Sequence, residues 1–256
     1  MNARHSLAND LVLCDIEGPI ARLTLNDPDR ANVLSAATMS ALREQLDAVA
    51  LDPQVRVIVL TAAGRIFCAG HDLAELTEES APRHAALFEQ CAELMLAVGA
   101  CRAPVIAQVH GAAVAAGCQL VASCDLAYAA ETAKFAVSGI NLGLFCSTLG
   151  VALGRSVGRK AAMELLLTGR TIDARRAAEL GLINGVAPAA ELGRVVEEAA
   201  RTIAGKAPDA VALGKAAFRR QIEAPLADAY EIASRAMVEN LTLASAQDGI
   251  RGFLER

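Results

Sequence analysis

Two short runs of small residues, each set ahead of a helical pattern, are where this chain could do chemistry. The first is HGAAVAAG at 110–117, preceded by the apolar run from Pro104 and followed by Leu120, Val121 and Cys124 at helical spacing. The second is CAGHDL at 68–73. A helix start exposes unpaired N–H groups at the positive end of its dipole, and Ala and Gly let a ligand approach the backbone. Such a turn can therefore receive a carbonyl oxygen or an anion. Asp72 and Glu75 stand three apart ahead of Leu76, a spacing that predicts Asp72 as the cap of a short helix rather than as a proton donor.

Other chemistries find less support. GRSVG at 154–158 satisfies the G-x-S-x-G elbow of serine hydrolases, which would make Ser156 a nucleophile. The preceding STLGVALG does not read as a strand, however, and no histidine follows Ser156, since the four are at 5, 71, 84 and 110. No HExxH and no histidine pair with ligand spacing occurs, so no metal site is expected. The seven cysteines (14, 68, 91, 101, 118, 124 and 146) form no CxxC and sit among apolar neighbours, which predicts free thiols in a reducing compartment, the cytoplasm. A net charge of −5 without a basic run argues against nucleic acid. The first residues, MNARHSLANDLV, carry no apolar signal core, and the apolar stretch 103–118 is interrupted by Gln108 and His110, so neither secretion nor a membrane span is expected.

The elements that must position these turns alternate between strand and helix. LVLCDIEGPIARLTL (11–25) predicts a hairpin about Glu-Gly-Pro. AATMSALREQLDAVALD predicts a helix with Met39, Leu42, Leu46 and Val49 on one face, stopped by Pro53, and VRVIVL (55–60) a buried strand. A helix over 82–99 presents Leu87, Cys91, Leu94 and Val98, and leads into the strand at 104. DLAYAA (125–130) and LINGVA (182–187) predict strands. Helices are expected at 159–168, 173–180, 189–204, 208–222 and 226–246. With 54% apolar residues this is an α/β chain able to bury a large core.

FCAGHDL (67–73) and PVIAQVHGAAVAAGCQLVASCD (104–125), taken in order with KFAVSGINLGL, LLLTGRTIDARRAAELGLINGV and the tail DGIRGFLER, resemble the crotonase, or enoyl-CoA hydratase/isomerase, family. The likeness runs from about residue 11 to the end, and the variants GCQLVASCD and GLFCST point to one subgroup within it. It implies a crotonase-like spiral of ββα turns over 1–188 and a helical C-terminal region over 189–256 that forms a homotrimer or dimer of trimers. It further implies a lyase or isomerase of fatty acid metabolism, with an acyl-CoA thioester as substrate, coenzyme A entering as part of that substrate, and no permanently bound cofactor.

The resemblance also assigns positions. The N–H groups of His71 and Ala116 match the donors that hold the thioester oxygen, with Ala69 and Gly117 as small neighbours. Arg30, Ala31 and Val33, in DRANVLS, match the nucleotide-side segment, where Arg30 is a candidate for phosphate or adenine; Asp72 is a further candidate CoA-binding position, and Lys215 is a candidate to reach CoA from the terminal helices. The two glutamates with which hydratases of this family handle water fall on Gln119 and Gly139, neither of which titrates, so hydration is expected to be weak or absent. Cys146 lies where decarboxylase members carry Tyr, and Ser147 where other members carry Asp. Two alternatives follow: a decarboxylase in which His71 holds the leaving carboxylate, or a catalytically silent acyl-CoA binder.

Overall fold

The computed structural model describes residues 11–77 and 80–255; most of the amino-terminal stretch, with His5, lies outside them. In chain order the strands are β1 (Val12–Glu17), β2 (Ile20–Leu25), β3 (Val57–Ala62), β4 (Val105–Val109), β5 (Ala112–Val114), β6 (Leu126–Ala130), β7 (Lys134–Ala136), β8 (Thr171–Asp173) and β9 (Gly185–Ala187). The α-helices are α1 (Ala36–Leu51), α2 (Leu73–Thr77), α3 (Ala81–Ala100), α4 (Ala116–Ser123), α5 (Ser147–Ser156), α6 (Arg159–Thr168), α7 (Ala174–Leu180), α8 (Leu192–Ala204), α9 (Pro208–Gln221), α10 (Leu226–Thr242) and α11 (Ala244–Leu254), with 3₁₀ turns at Pro28–Arg30 and Ser138–Leu142.

Six strands pair in the order β1-β2-β3-β4-β6-β9, antiparallel only between β1 and β2, while β5, β7 and β8 form a second small sheet. Two successive turns of the chain, β4 with β5 and β6 with β7, each send one strand to the large sheet and the next to the small one before entering helix, the repeat of the expected spiral. The hairpin turns at Gly18, whose φ of 57° suits glycine, with Glu17 opposite Ile20. The central strands are apolar on both faces because both are covered. On β3, Ile58 and Leu60 join the main core with Met39, Leu42, Leu46, Leu94 and Val98 of α1 and α3, whereas Val57 and Val59 point the other way, onto Leu192, Val196 and Ala200 of α8.

That packing moves the expected boundary. Helix α8 closes the second face of the sheet, so the chain does not divide after residue 188; the helices that stand apart are α9–α11, in which only Ala217 and Ala229 are buried. The helix expected over 226–246 also breaks, at Leu243, where ψ swings to 138° and the Ser245 hydroxyl donates to both carboxylate oxygens of Asp209 at 2.9 Å. No helix among the described residues is long and apolar enough to cross a membrane.

Candidate active site

The two small-residue turns meet. The segment after β3 runs alongside β5: Cys68 N–H donates to Ala112 O at 3.1 Å, and Val114 N–H to Cys68 O at 2.9 Å. Where they cross there is no room for side chains. A Cβ on Gly117 would lie 2.4 Å from Cys68 O, and one on Gly70 would lie 2.9 Å from Ala115 Cβ and 3.2 Å from Ala116 N. Gly70 also holds φ at +97°, which favours glycine. From the other side, residues 31–34 strap the first turn through Ala69 N–H to Ala31 O (3.1 Å) and Leu34 N–H to Gly70 O (2.8 Å).

The second turn is strained. Ala115, the residue before α4, has φ 47° and ψ −119°, a conformation costing about 1–3 kcal/mol in an L-residue, and its N–H is anchored to Ala136 O of β7 at 2.9 Å. Ala116 opens α4, so its N–H has no acceptor within the helix. Among the described residues, neither the His71 N–H nor the Ala116 N–H donates to a backbone carbonyl. Two donors without a backbone acceptor therefore sit on adjoining turns.

One turn along α4, Gln119 is only 4% exposed and its Oε1 has no hydrogen-bond partner. Gly139 lies in the 3₁₀ turn, and the direction of its absent side chain is already filled: a Cβ there would be 2.6 Å from Cys146 Sγ and 2.7 Å from Leu144 O. The Cys146 thiol also neighbours Cys118, whose own thiol is pushed up to about 12, first by burial and then by Cys146. Ser147 is exposed at the start of α5, with its hydroxyl 3.4 Å from Phe145 O.

The His71 ring is engaged elsewhere. Its Nδ1 lies 3.3 Å from Leu34 O, its ring stands perpendicular to that of Phe88 with centroids 5.5 Å apart, and its buried Nε2 is unpartnered. Burial lowers its pKa, outweighing the Leu34 carbonyl and the Glu75 charge, so the imidazole is neutral near pH 7.

The nucleotide-side residues are engaged within the fold. Arg30 is half exposed but ion-paired with Asp72 and, at 3.7 Å, with Asp27. Asp72 does cap locally, accepting from Ala74 N–H at 3.1 Å. Glu75 instead turns to α1, where its carboxylate accepts the Ala36 N–H at 3.0 and 3.2 Å; a contact between distant segments outcompetes the local capping box. Ala31 takes φ 54° beside the strap, and Val33 is half-buried next to it. Lys215 does not reach this region as a free cation. Its ammonium pairs with Asp125 at 2.6 Å and donates to Ala103 O at 3.3 Å, and that carboxylate also accepts Val105 N–H, so the lysine pins α9 to the start of β4.

Sequence reasoning missed Asn32. Fully buried in a left-handed conformation, it donates to Ala63 O and Ile66 O, each at 2.8 Å, and accepts Asp27 N–H at 2.9 Å, locking the strap to the first turn. The only local signal is a residue type that tolerates positive φ. Ser156, as expected, is no elbow nucleophile: it ends α5 and donates to Ala152 O and Ala122 O.

The family model described as enoyl-CoA hydratase/isomerase matches residues 15–256. The chain belongs to the enoyl-CoA hydratase/isomerase family. It is 43% identical over 256 residues to the mitochondrial enoyl-CoA hydratase domain-containing protein 3 of Xenopus laevis, covering 100% of this chain and 87% of that protein. Identity to the mitochondrial protein of the same name from Homo sapiens is 45% over 238 residues, 93% of this chain and 78% of that one. Among solved structures of this hydratase/isomerase family, an enoyl-CoA hydratase of Mycobacterium smegmatis is 50% identical with a TM-score of 0.93, covering 96% of both chains. The human domain-containing protein 3 is 43% identical with a TM-score of 0.93, covering 96% of this chain and 97% of that one.

Proposed function

We propose that this chain binds acyl-CoA thioesters and stabilises negative charge on the thioester oxygen with two backbone amides, those of His71 and Ala116. The observation that carries this reading is the pair of N–H groups without carbonyl acceptors on two turns held in van der Waals contact. As a thioester oxygen gains enolate character, preorganised donors gain value, and removing one typically costs about 10²–10³ in rate. The glycines and alanines serve approach; the donors themselves need no particular side chain.

Efficient hydration is not part of the reading. Gln119 is an amide, and the space beside Gly139 is taken by Cys146 and Leu144, so no carboxylate stands ready to move a proton at either position. The filled space favours one second reading, a binder that holds the thioester without turnover. A decarboxylase relying on His71 is not favoured, because a neutral ring committed to Leu34 O offers no positive charge to a leaving carboxylate. Coenzyme A would enter as part of the substrate, with Arg30 available to phosphate only by exchanging its partners Asp27 and Asp72.

Association into a homotrimer or a dimer of trimers is proposed from the apolar side chains that α9–α11 expose, among them Phe218, Leu226, Met237 and Phe253. The seven unpaired cysteines suit a reducing compartment such as the cytoplasm. Acetoacetyl-CoA, which ionises to an absorbing enolate, tests the central reading. The expected result is enolate absorbance on binding at neutral pH, with crotonyl-CoA bound but hydrated slowly or not at all. Failure of both thioesters to bind, or fast hydration, overturns it.

A further inference from the structure

We infer that Cys146 is a covalent capture site for α,β-unsaturated acyl thioesters, its sulfur adding to the β-carbon of an enoyl thioester held by the two amides. The inference rests on the thioester reading above and adds a reaction to it.

The fold brings this sulfur to the start of α4. Ala115 N–H donates to Ala136 O at 2.9 Å, which ties the second turn to the end of β7, and three residues later the chain reaches Gly139. It then folds back, with Leu144 N–H on Gly139 O at 2.9 Å, and Cys146 leads into α5. The Cys146 Sγ lies 2.6 Å from where a Cβ on Gly139 would stand, so the missing side chain is what admits the sulfur. On its other side is α4: Ser156 of α5 donates to Ala122 O at 3.2 Å, and the Cys118 thiol, two residues past Ala116, feels Cys146. A second observation points to a ligand in the same place. The residue after Cys118, Gln119, is 4% exposed and leaves Oε1 without a partner, a loss that a bound polar atom restores. Cys146 itself is half-buried, and the other six thiols are each pushed up, first by burial, which keeps them protonated and unreactive.

Amides that draw charge onto a thioester oxygen also drain it from a conjugated alkene, leaving the β-carbon open to a nucleophile. Sulfur suits the task, because a thiol attacks through a small fraction of thiolate and needs no carboxylate base. In the step, the thiol proton passes to water, the S–C bond forms at the β-carbon, and the alkene π pair moves onto the thioester oxygen, where the His71 and Ala116 N–H groups hold it. The enolate then takes a proton from water at the α-carbon. Thiol and alkene are the only reactants, and the thioester bond to CoA stays intact.

Intact-mass spectrometry of the full chain after incubation with crotonyl-CoA tests this, with butyryl-CoA as the saturated control and calorimetry to read binding. The expected product gains the mass of one whole crotonyl-CoA, mapped by peptide digestion to Cys146, and butyryl-CoA gives none. Excess butyryl-CoA, which fills the site without an alkene, should slow the labelling about tenfold or more. Cys146→Ala should abolish it while crotonyl-CoA still binds. Binding of both thioesters with no adduct overturns the inference and leaves the thioester reading standing. So does a label on another cysteine, a rate that butyryl-CoA does not slow, or a gain of the acyl mass alone, which would mean transfer from CoA rather than addition. If neither thioester binds, the thioester reading itself fails. Should Cys146→Ala not fold, Cys146→Ser is the second variant, and peptide mapping of the unaltered protein decides.

Discussion

Replacing Gly117 by Ala introduces one methyl where the two turns cross. That Cβ would lie 2.4 Å from Cys68 O and 2.7 Å from Cys68 Cβ, and both neighbours belong to a segment fixed by its pairing with β5. Restoring ordinary contact near 3.5 Å requires the turns to part by about 1 Å. Overpacking of this kind typically costs about 1–3 kcal/mol. For a chain of this size it should lower the melting temperature by roughly 2–4 °C per kcal/mol. The functional loss should be larger than the thermal one, because a misplacement near 1 Å at a preorganised site costs on the order of 10². The assay pairs thermal unfolding with acetoacetyl-CoA enolate absorbance measured well below the transition. Gly154→Ala is the control. Its Cβ would meet nothing within 4 Å inside α5, so the variant should be neutral or slightly stabilising, with the enolate signal intact. A Gly117→Ala protein that keeps the full enolate signal despite a lowered melting temperature would refute the assignment of the site to the crossing of these turns.

Three other outcomes follow. Gly139→Glu should destabilise the protein by at least about 1 kcal/mol through collision with Cys146 Sγ and Leu144 O, and Cys146→Ala in the same chain should recover part of that loss in a double-mutant cycle by denaturant unfolding. Lys215→Ala, which leaves Asp125 without its cation, should cost about 3 kcal/mol in denaturant unfolding while leaving butyryl-CoA affinity unchanged, since the ammonium is spent within the fold. His71 has a folded-state pKa below its ordinary 6.5, so the unfolded chain binds the extra proton first. Its contribution is constant above that value, and stability falls as pH drops below about 6.5 and toward the folded pKa; His71→Gln should flatten this part of a melting temperature–pH curve.

Helix α1 was legible because its signal is local and periodic: Met39, Leu42, Leu46 and Val49, one face in sequence, are all 0–3% exposed. Both runs of Ala and Gly were legible as places where a helix begins, although Ala112–Val114 within the second is strand β5 rather than loop. The strands β5, β7 and β8 were not foreseen, since three residues are too few to establish a period of two. What decides the site is non-local. Its spacing assigns Glu75 to its own helix start, whereas α1, 39 residues earlier, claims it. Lys215 finds Asp125 across 90 residues, and Cys146 fills the space of a side chain at 139 only because the 3₁₀ turn folds back. That Gln119 and Gly139 stand where hydratases keep carboxylates came from family resemblance alone; no spacing within the chain marks either position.

The central claim is that two amides from separate turns converge on one thioester oxygen. It is tested most directly by infrared difference spectroscopy of butyryl-CoA labelled with carbon-13 at the thioester carbonyl. Bound ligand should show its carbonyl stretch moved to lower frequency than in water, and Gly117→Ala should reverse much of that shift. A bound thioester whose stretch matches or exceeds the aqueous frequency would mean that the His71 and Ala116 amides do not hold it.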